Sequence, residues 1–509
     1  MPLLSVPPGP AGAGRHGSRR AFERDQLGFL LHQQQYGDLV RVDDGLYLAN
    51  SPVLAEEVFK HTNTTYAISR DLLGEETDGG RASEDLALWM RARSLAGRGL
   101  NRTSMRAAED RLAATAARHA QAWRARGTVE AIPALEDLSA HLIAEFCLGP
   151  DTGRVPVLLA QLQDALLPPV LPLPARWRVL RGRRLHRVNR DLAAEVSRLI
   201  DHRRTAHRDG SPHVVADLLN TARDEGALTP QGATSIIVAN LFAAHETTAA
   251  ALAWLFLLLD QHPLIRRQVR DEAERELAGR LPTATDVPRL AVTESVVKET
   301  LRLYPPLWLI ERTVEEPTEL AGYPLRPGQR VAVSPFVLQR DPRHYHQPAA
   351  FRPDRWTDRS PADPLPKYAF MPFGGGPRTC LGTHFATVAM TITAATLTSS
   401  YQITRTPGTT PVFSTRTILQ PHKLTLDITD HPPGRRPRPT GPPASTTDFR
   451  TPATIGDQTA SPRPGPPAGA TPGAVGVGAG AGRAPAVGQA GAGPPNQRPA
   501  ACSNSSRSG

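Results

Sequence analysis

The sequence predicts a mainly α chain with a small β portion, an α+β domain in which one long helix crosses the whole fold. Three observations predict it. Helix-period patterns with short breaks run from Asp85 to about Arg280. Within them, residues 229–261 are apolar nearly all round, which marks a helix buried on every side. Strand-like runs are short, one set near the N-terminus and one at residues 307–335.

The elements follow in chain order. Residues 1–24 read as a flexible N-terminal segment, whose prolines and arginines leave no continuous apolar core of the kind a signal peptide needs. "GDLVRVDDGLYLANSP" reads as a short hairpin turning at Asp43, Asp44 and Gly45. Residues 62–84 are polar and aperiodic, a long loop of the sort that carries function. The proline cluster "LLPPVLPLPARW" at 166–177 interrupts the helices. Thr229 as N-cap and Pro230 at the first helical position start the long helix, and His262-Pro263 stop it.

Some thirty residues at about 1.5 Å each span roughly 45 Å, enough to cross a domain. The middle of this helix, "FAAHETTAA", puts His245, Glu246, Thr247 and Thr248 in the interior, where an ionisable side chain needs a task or a partner. "RRQVRDEAEREL" then reads as a charged surface helix. "TESVVKETLRLYPP" is a helix with Glu299 and Arg302 on one face, ended by Pro305 and Pro306. Strands around a turn at Gly322 precede an irregular, proline-rich stretch at 334–356. The folded domain is expected to span residues 25–430. Residues 431–509 hold almost no large apolar side chain, too little to offset ordering entropy, and are expected to form a disordered Pro/Gly/Ala-rich tail.

Composition narrows the function classes. The formal charge of +10 does not indicate nucleic acid, because eight arginines and two aspartates lie in the tail and leave only +4 on the preceding 430 residues. Cys147, Cys380 and Cys502 are widely spaced with no paired motif, so neither a disulfide framework nor a Cys/His zinc motif is indicated. The longest apolar run, "AAALAWLFLLL", has eleven residues, against roughly twenty for a bilayer span. The expectation is a soluble, cytoplasmic monomer with no nucleic-acid or membrane partner.

The chemistry gathers at "FGGGPRTCLG", residues 373–382. A metal-ligating cysteine must be a thiolate, and a position just before a helix lowers its pKa through free N–H groups and the helix dipole. After Cys380, "LGTHFATVAMTITAATL" is helical and apolar, so the sulfur is expected at that N-terminus. Gly374, Gly375, Gly376 and Gly382 let the backbone fold tightly and approach a large flat ligand. Arg378 offers a fixed cation to a carboxylate. One sulfur, one tight turn and several arginines describe a haem held by an axial thiolate.

Phe373, Gly376, Arg378, Cys380 and Gly382 match F-x-x-G-x-R-x-C-x-G, and in this the chain resembles the cytochrome P450 family. Further segments agree in family order. Glu299 and Arg302 match E-x-x-R, and Phe351, Pro353 and Arg355 in "FRPDRW" match the segment whose arginine closes a buried Glu-Arg-Arg network. "AAHETT" (243–248) resembles the oxygen-binding motif of the central helix, and Trp89 with Arg93 resembles W-x-x-x-R, which contacts a haem propionate. The resemblance covers about residues 25–430. It implies the P450 fold, with the long helix over a haem b (iron protoporphyrin IX) and Cys380 as proximal iron ligand ahead of a proximal helix. Ser would be a poor ligand there and Ala none.

The resemblance also implies roles for single residues. Arg93, Arg312 and Arg378 would hold the propionates beside Trp89, and Ala243, Phe373, Gly376 and Gly382 would line the cofactor. Thr247 would hydrogen-bond at the oxygen site and Glu246 would relay protons to it. Two departures from the family pattern stand out: Ala244 where the family usually has Gly, an extra methyl that could crowd dioxygen or substrate, and Ala389 where it often has Glu.

The activity so implied is a monooxygenase that uses dioxygen to oxidise, and most simply hydroxylate, an apolar small molecule. Electrons would come from a separate ferredoxin and ferredoxin reductase, with Arg91, Arg98, Arg102 and Arg106 as a basic docking face. Residues 62–84, 165–180, 239–243 and 307–310 would supply largely aliphatic substrate contacts, suiting a terpenoid-like or polyketide-like metabolite. An Arg-, Ala-, Gly- and Pro-rich composition resembles chains of high-GC actinobacteria, where such enzymes tailor secondary metabolites. The alternatives are the same fold carrying out desaturation, coupling or isomerisation, and a haem carrier or sensor without turnover.

Overall fold

The structure is a computed structural model and describes residues 6–10, 17–68, 90, 93–95, 97, 102–166, 175–206, 214–357 and 364–431. All of these fall within the unit Met1–Gly456. Trp89, Arg91, Arg98, the side chains of Arg102 and Arg106, the proline cluster at 167–174 and the tail from residue 432 lie outside the described residues.

The helices begin with α1 (Gly17–Arg24), α2 (Gln26–Gln33), α3 (Pro52–Lys60), α4 (Arg102–Arg126) and α5 (Ala131–Leu148). They continue with α6 (Val155–Leu166), α7 (Ala175–Ala206), α8 (Val215–Asp224) and α9 (Pro230–Gln261). Last come α10 (Pro263–Leu277), α11 (Ala291–Leu303), α12 (Pro335–Leu338) and α13 (Thr383–Ser400). The first strands are β1 (Leu39–Asp43), β2 (Leu46–Ala49), β3 (Tyr66–Ile68) and β4 (Thr128–Glu130). β5 (Ile310–Val314), β6 (Thr318–Leu320), β7 (Tyr323–Leu325) and β8 (Arg330–Val333) follow. β9 (Gln402–Arg405), β10 (Val412–Ser414), β11 (Gln420–His422) and β12 (Thr425–Thr429) close the described chain.

α9 is the axis. The Thr229 side chain accepts from Gly232 N–H at 3.0 Å and Pro230 fills the first position, so the start is capped as its sequence dictates. Its 32 residues span about 48 Å. By length and composition it is the one described helix able to cross a membrane, yet 78% of its most apolar window is buried inside the fold. Leu252, Leu255 and Phe256 there are at most 1% exposed, and α5 packs along its length.

A second core lies under a five-stranded sheet of order β1-β2-β8-β5-β3, in which only β2 and β8 run parallel. Val58 and Phe59 of α3 pack there with Tyr66, Val331, Val333 and Met371. The hairpin around Asp43, Asp44 and Gly45 is present as β1–β2. The strands around Gly322 are present as β5 to β8.

Three short elements depart from the sequence expectation. Residues 66–68, expected in a loop, form β3 because "YAI" completes the sheet edge against β5. Residues 128–130, expected within helices, form β4 against β12. Residues 17–24, expected to be flexible, form α1, where Phe22 finds aromatic cover from Phe29 and Trp308 at ring distances of 5.8 and 6.3 Å.

Glu299 and Arg302 of α11 have no accessible surface. Arg302 donates twice to Glu299 at 2.8 Å, and to the carbonyls of Gln339, Pro348 and Ala350 at 2.7, 2.7 and 3.0 Å. All five of its N–H groups are thereby used. Glu299 also accepts from Arg355 Nε, Trp356 Nε1 and Arg352 N–H, each at 2.9 Å. Glu299→Ala should strand two guanidinium groups and cost about 3–5 kcal/mol, read as a lower urea midpoint for the haem-loaded protein. A midpoint unchanged from wild type would contradict this.

Candidate active site

Cys380 sits where a tight turn meets a helix. The turn forms because Gly374 and Gly376 take positive φ of 71° and 66°, backbone that other residues rarely adopt. It closes on itself: Gly374 N–H donates to the Met371 carbonyl at 3.0 Å and Cys380 N–H to the Phe373 carbonyl at 2.9 Å. Two neighbours fix it from outside. Tyr368, itself at φ 67°, accepts from Gly376 N–H at 3.2 Å, and a Cβ on Gly376 would strike the Phe59 carbonyl oxygen. Gly382 is different: its φ is −82°, and a Cβ there would make ordinary contact with the Cys380 sulfur at 3.8 Å.

α13 starts at Thr383, whose hydroxyl donates to the Cys380 carbonyl at 2.9 Å. The thiol does not show the net lowering expected from a helix N-terminus. Burial pushes it up, and the Gly382 backbone, the Arg93 charge and the Thr383 hydroxyl only partly draw it back. A bound cation shifts that balance, because metal coordination deprotonates a thiol outright.

Three of the arginines singled out from the sequence converge on this loop. Arg93 donates to the Thr379 carbonyl, Arg378 to Asn63 Oδ1 at 3.0 Å, and Arg312 of β5 to Thr62 Oγ1 at 3.1 Å. Arg312 also lies over the Phe59 ring, 5.2 Å from its centroid. Their charges work against each other. Burial, and then Arg378, pushes Arg312 down to about 10; burial, and then Arg93, lowers Arg378. Like charges held together in a partly buried place favour an anion between them. Trp89, the fourth expected partner, is outside the described residues.

On α9 the exposed positions recur every four residues, at Ser235, Ala239 and Ala243, a stripe of small side chains on one face. Ala243 is on it. Ala244 packs against the core instead, and its carbonyl accepts from Ser139 of α5 at 3.4 Å. The Thr247 hydroxyl donates back to the Ala243 carbonyl at 2.8 Å, which leaves its oxygen able to accept. Glu246 is half-buried and its Oε1 accepts from Thr417, between β10 and β11, at 3.0 Å. His245 is 2% exposed and donates to the Phe242 carbonyl at 3.1 Å; burial lowers its pKa.

Sequence reasoning missed several of these residues. Thr62, Asn63, Tyr368 and Thr417 orient the named groups from segments far away in the chain. Glu136 of α5 was missed too: burial, then Glu246 and Asp164, pushes its carboxyl up to about 7. Only its place three residues before Ser139 on the helix that packs along α9 could have pointed to it.

A thiol at the head of a helix, a turn too tight for side chains, and a cluster of cations fit a flat iron-binding dianion with carboxylate arms. Comparison with known proteins agrees. Residues 159–426 match the family model for cytochrome P450. The chain belongs to the cytochrome P450 family. It is similar to a cyclooctatin synthase of Streptomyces melanosporofaciens, at 30% identity over 79% of this chain and 90% of that protein. A pentalenene oxygenase of Streptomyces avermitilis is 29% identical over 81% of this chain and 94% of its own. Among solved structures, a retinoic acid-bound cyanobacterial CYP120A1 superposes with a TM-score of 0.69 at 24% identity, covering 84% of this chain and all of that one; this likeness speaks to the fold alone. This P450 is therefore a haem monooxygenase of bacterial type that acts on a small molecule with dioxygen and redox partner proteins.

Two outcomes follow for this P450. Gly376→Ala should purify with less haem per chain than wild type, measured as Soret absorbance against protein; full occupancy would show that the Phe59 approach does not hold the cradle. Glu136 keeps in the native state a proton that the unfolded chain loses above its ordinary value of 4.5. Its contribution to stability therefore falls as pH rises from about 4.5 to 7 and levels off above. Glu136→Gln should flatten that fall, so the variant gains most in melting temperature over wild type at pH 8 and least at pH 5.

Proposed function

We propose that Cys380 is the iron ligand of this P450, that Arg93, Arg312 and Arg378 hold the haem propionates with Trp89, and that it hydroxylates an apolar terpenoid-like metabolite. The observation that carries the reading is the convergence of the three arginines on the loop that bears Cys380. When bound, the haem supplies an iron that activates dioxygen with two electrons.

The chain's own residues do the rest. Phe373, Gly376 and Gly382 leave room for the flat cofactor beside the sulfur. The stripe of Ser235, Ala239 and Ala243 offers small, largely apolar contact to a bulky substrate. Thr247 stands one turn beyond Ala243 and accepts or donates at the oxygen site. Glu246, steadied by the Thr417 hydroxyl, delivers protons toward it, and a carboxylic acid so placed is a general acid. Glu136, with a value near 7, keeps a proton in reserve on the facing helix.

Relatives named cyclooctatin synthase and pentalenene oxygenase support a terpenoid substrate within secondary metabolism. A separate ferredoxin and its reductase would donate the electrons, and the protein would act as a cytoplasmic monomer over a domain of residues 25–430.

The test is spectral and then chemical. Reduced wild-type protein under carbon monoxide should give the red-shifted Soret band of a thiolate-ligated haem, and Cys380→Ser should lose that shift. Terpenoid candidates are then screened for spin-state change, and hits for products one oxygen atom heavier. Thr247→Ala should keep consuming NAD(P)H while product per NAD(P)H falls, and Glu246→Gln should slow turnover by about 10²-fold. An unshifted wild-type band, or products of unchanged oxygen content, overturns the corresponding part of the reading.

A further inference from the structure

One more group of ligand-bearing side chains stands on α4 and α5. His119 projects from α4, and Asp137 and His141 from α5; one ligand atom from each lies within 4.8 Å of the others. Asp137 and His141 are four residues apart and so share a helix face. The His119 Nε2 is 3.3 Å from Asp137 Oδ2, and His141 Nδ1 is 3.4 Å from Asp137 Oδ1. A tetrahedral ion bound at about 2.0–2.1 Å holds its ligand atoms about 3.3 Å apart, so His119 Nε2 and Asp137 Oδ2 are already at that spacing.

The tautomers decide what the cluster wants. His119 Nδ1 lies 2.9 Å from the Thr115 carbonyl oxygen, and His141 Nδ1 lies 2.8 Å from the Asp137 carbonyl oxygen. A carbonyl only accepts, so both rings donate from Nδ1, and each neutral ring keeps its lone pair on Nε2. The lone pair of His119 then faces a carboxylate oxygen, which is repulsive unless a proton or a metal cation lies between them. A ring N–H tied to a backbone carbonyl is also how metal-binding histidines are oriented. Access is open: the Asp137 and His141 side chains are 59% and 31% exposed, and His119 13%, which leaves a fourth position for water.

We propose that His119, Asp137 and His141 bind one zinc ion and so staple α4 to α5. Two imidazoles and a carboxylate suit a borderline transition ion and not magnesium or calcium, which prefer all-oxygen sites. The ion would brace α5 against α4, and α5 is the helix that packs along α9. None of the three residues is among those placed above against the haem.

Equilibrium dialysis of the haem-loaded, full-length protein against zinc, with metal analysis, tests this on wild type, His119→Gln, His141→Gln and Asp137→Asn. Zinc held elsewhere on the chain is common to all four and cancels. Wild type should take up one more zinc per chain than either histidine variant, and Asp137→Asn should bind it about tenfold or more weakly. Zinc, and not magnesium, should raise the melting temperature of wild type alone. Equal zinc uptake in wild type and variants overturns the proposal and leaves His119 and Asp137 as a pair without a metal. Should His119→Gln fail to retain its Soret band, the more exposed His141→Gln and Asp137→Asn decide the matter by the same comparison.

Discussion

A carboxylate taken wholly out of water organises this fold. An unpaired buried charge costs far more than any single contact returns, so Glu299 persists only because two guanidinium groups, an indole N–H and a backbone N–H surround it. The network reaches the cysteine loop by three routes. Gln339, whose carbonyl accepts from Arg302, donates its amide to the Leu301 and Arg302 carbonyls and accepts from Met371 N–H at 2.8 Å. Tyr345, whose ring lies under Arg302, donates its hydroxyl to the Ala369 carbonyl at 3.0 Å. Trp356 packs on Phe370, with ring centroids 4.6 Å apart. Residues 369–371 are thus pinned just ahead of Phe373, and the position of Cys380 is inherited from Glu299. Apolar residues of equal volume could match the stability of a buried ion pair; they could not supply directional bonds that set where a distant loop lies.

The second set of arginines obeys the opposite rule. Arg302 has a carboxylate and three carbonyls for its five N–H groups, whereas Arg312 bonds to the Thr62 hydroxyl and the Glu311 carbonyl at 3.1 and 2.8 Å, both neutral. Its charge is left facing Arg378. Neutral oxygens orient a guanidinium without discharging it, so the cation stays available to an incoming carboxylate. One type of side chain thus serves two ends: internal satisfaction where rigidity is needed, and orientation with charge in hand beside the cysteine loop, as the proposed propionate contact requires.

This contrast explains what was legible in the sequence. Glu299 with Arg302, the turn around Cys380, the capped ends of α9 and the strands about Gly322 are local patterns, each specified by residues within one or two turns. Their assembly was legible only through the family resemblance. Trp356, Gln339, Asn63 and Thr417 were hidden because their partners are remote: Arg378 meets Asn63 across 315 positions and Thr417 meets Glu246 across 171. Single polar residues of this kind look like any surface side chain until topology supplies the partner. β3 and β4 escaped for a related reason, since three residues carry no periodicity and become strands only when β5 and β12 lie beside them.

Ala244 shows how much one helical step decides. Read in sequence, its methyl stands where the family usually has none and threatens the oxygen site. In the helix, successive residues are turned by about 100°, and the open stripe passes through Ser235, Ala239 and Ala243. Ala244 falls on the next face, against the core, where its carbonyl meets Ser139. The extra methyl therefore packs against the core, while Ala243 lies on the open stripe. Carbonyls 243 and 244 each accept from a side-chain hydroxyl, of Thr247 and Ser139 respectively. α9 nevertheless runs unbroken from Pro230 to Gln261, so Thr247 and Glu246 at its centre find their partners without interrupting the helix.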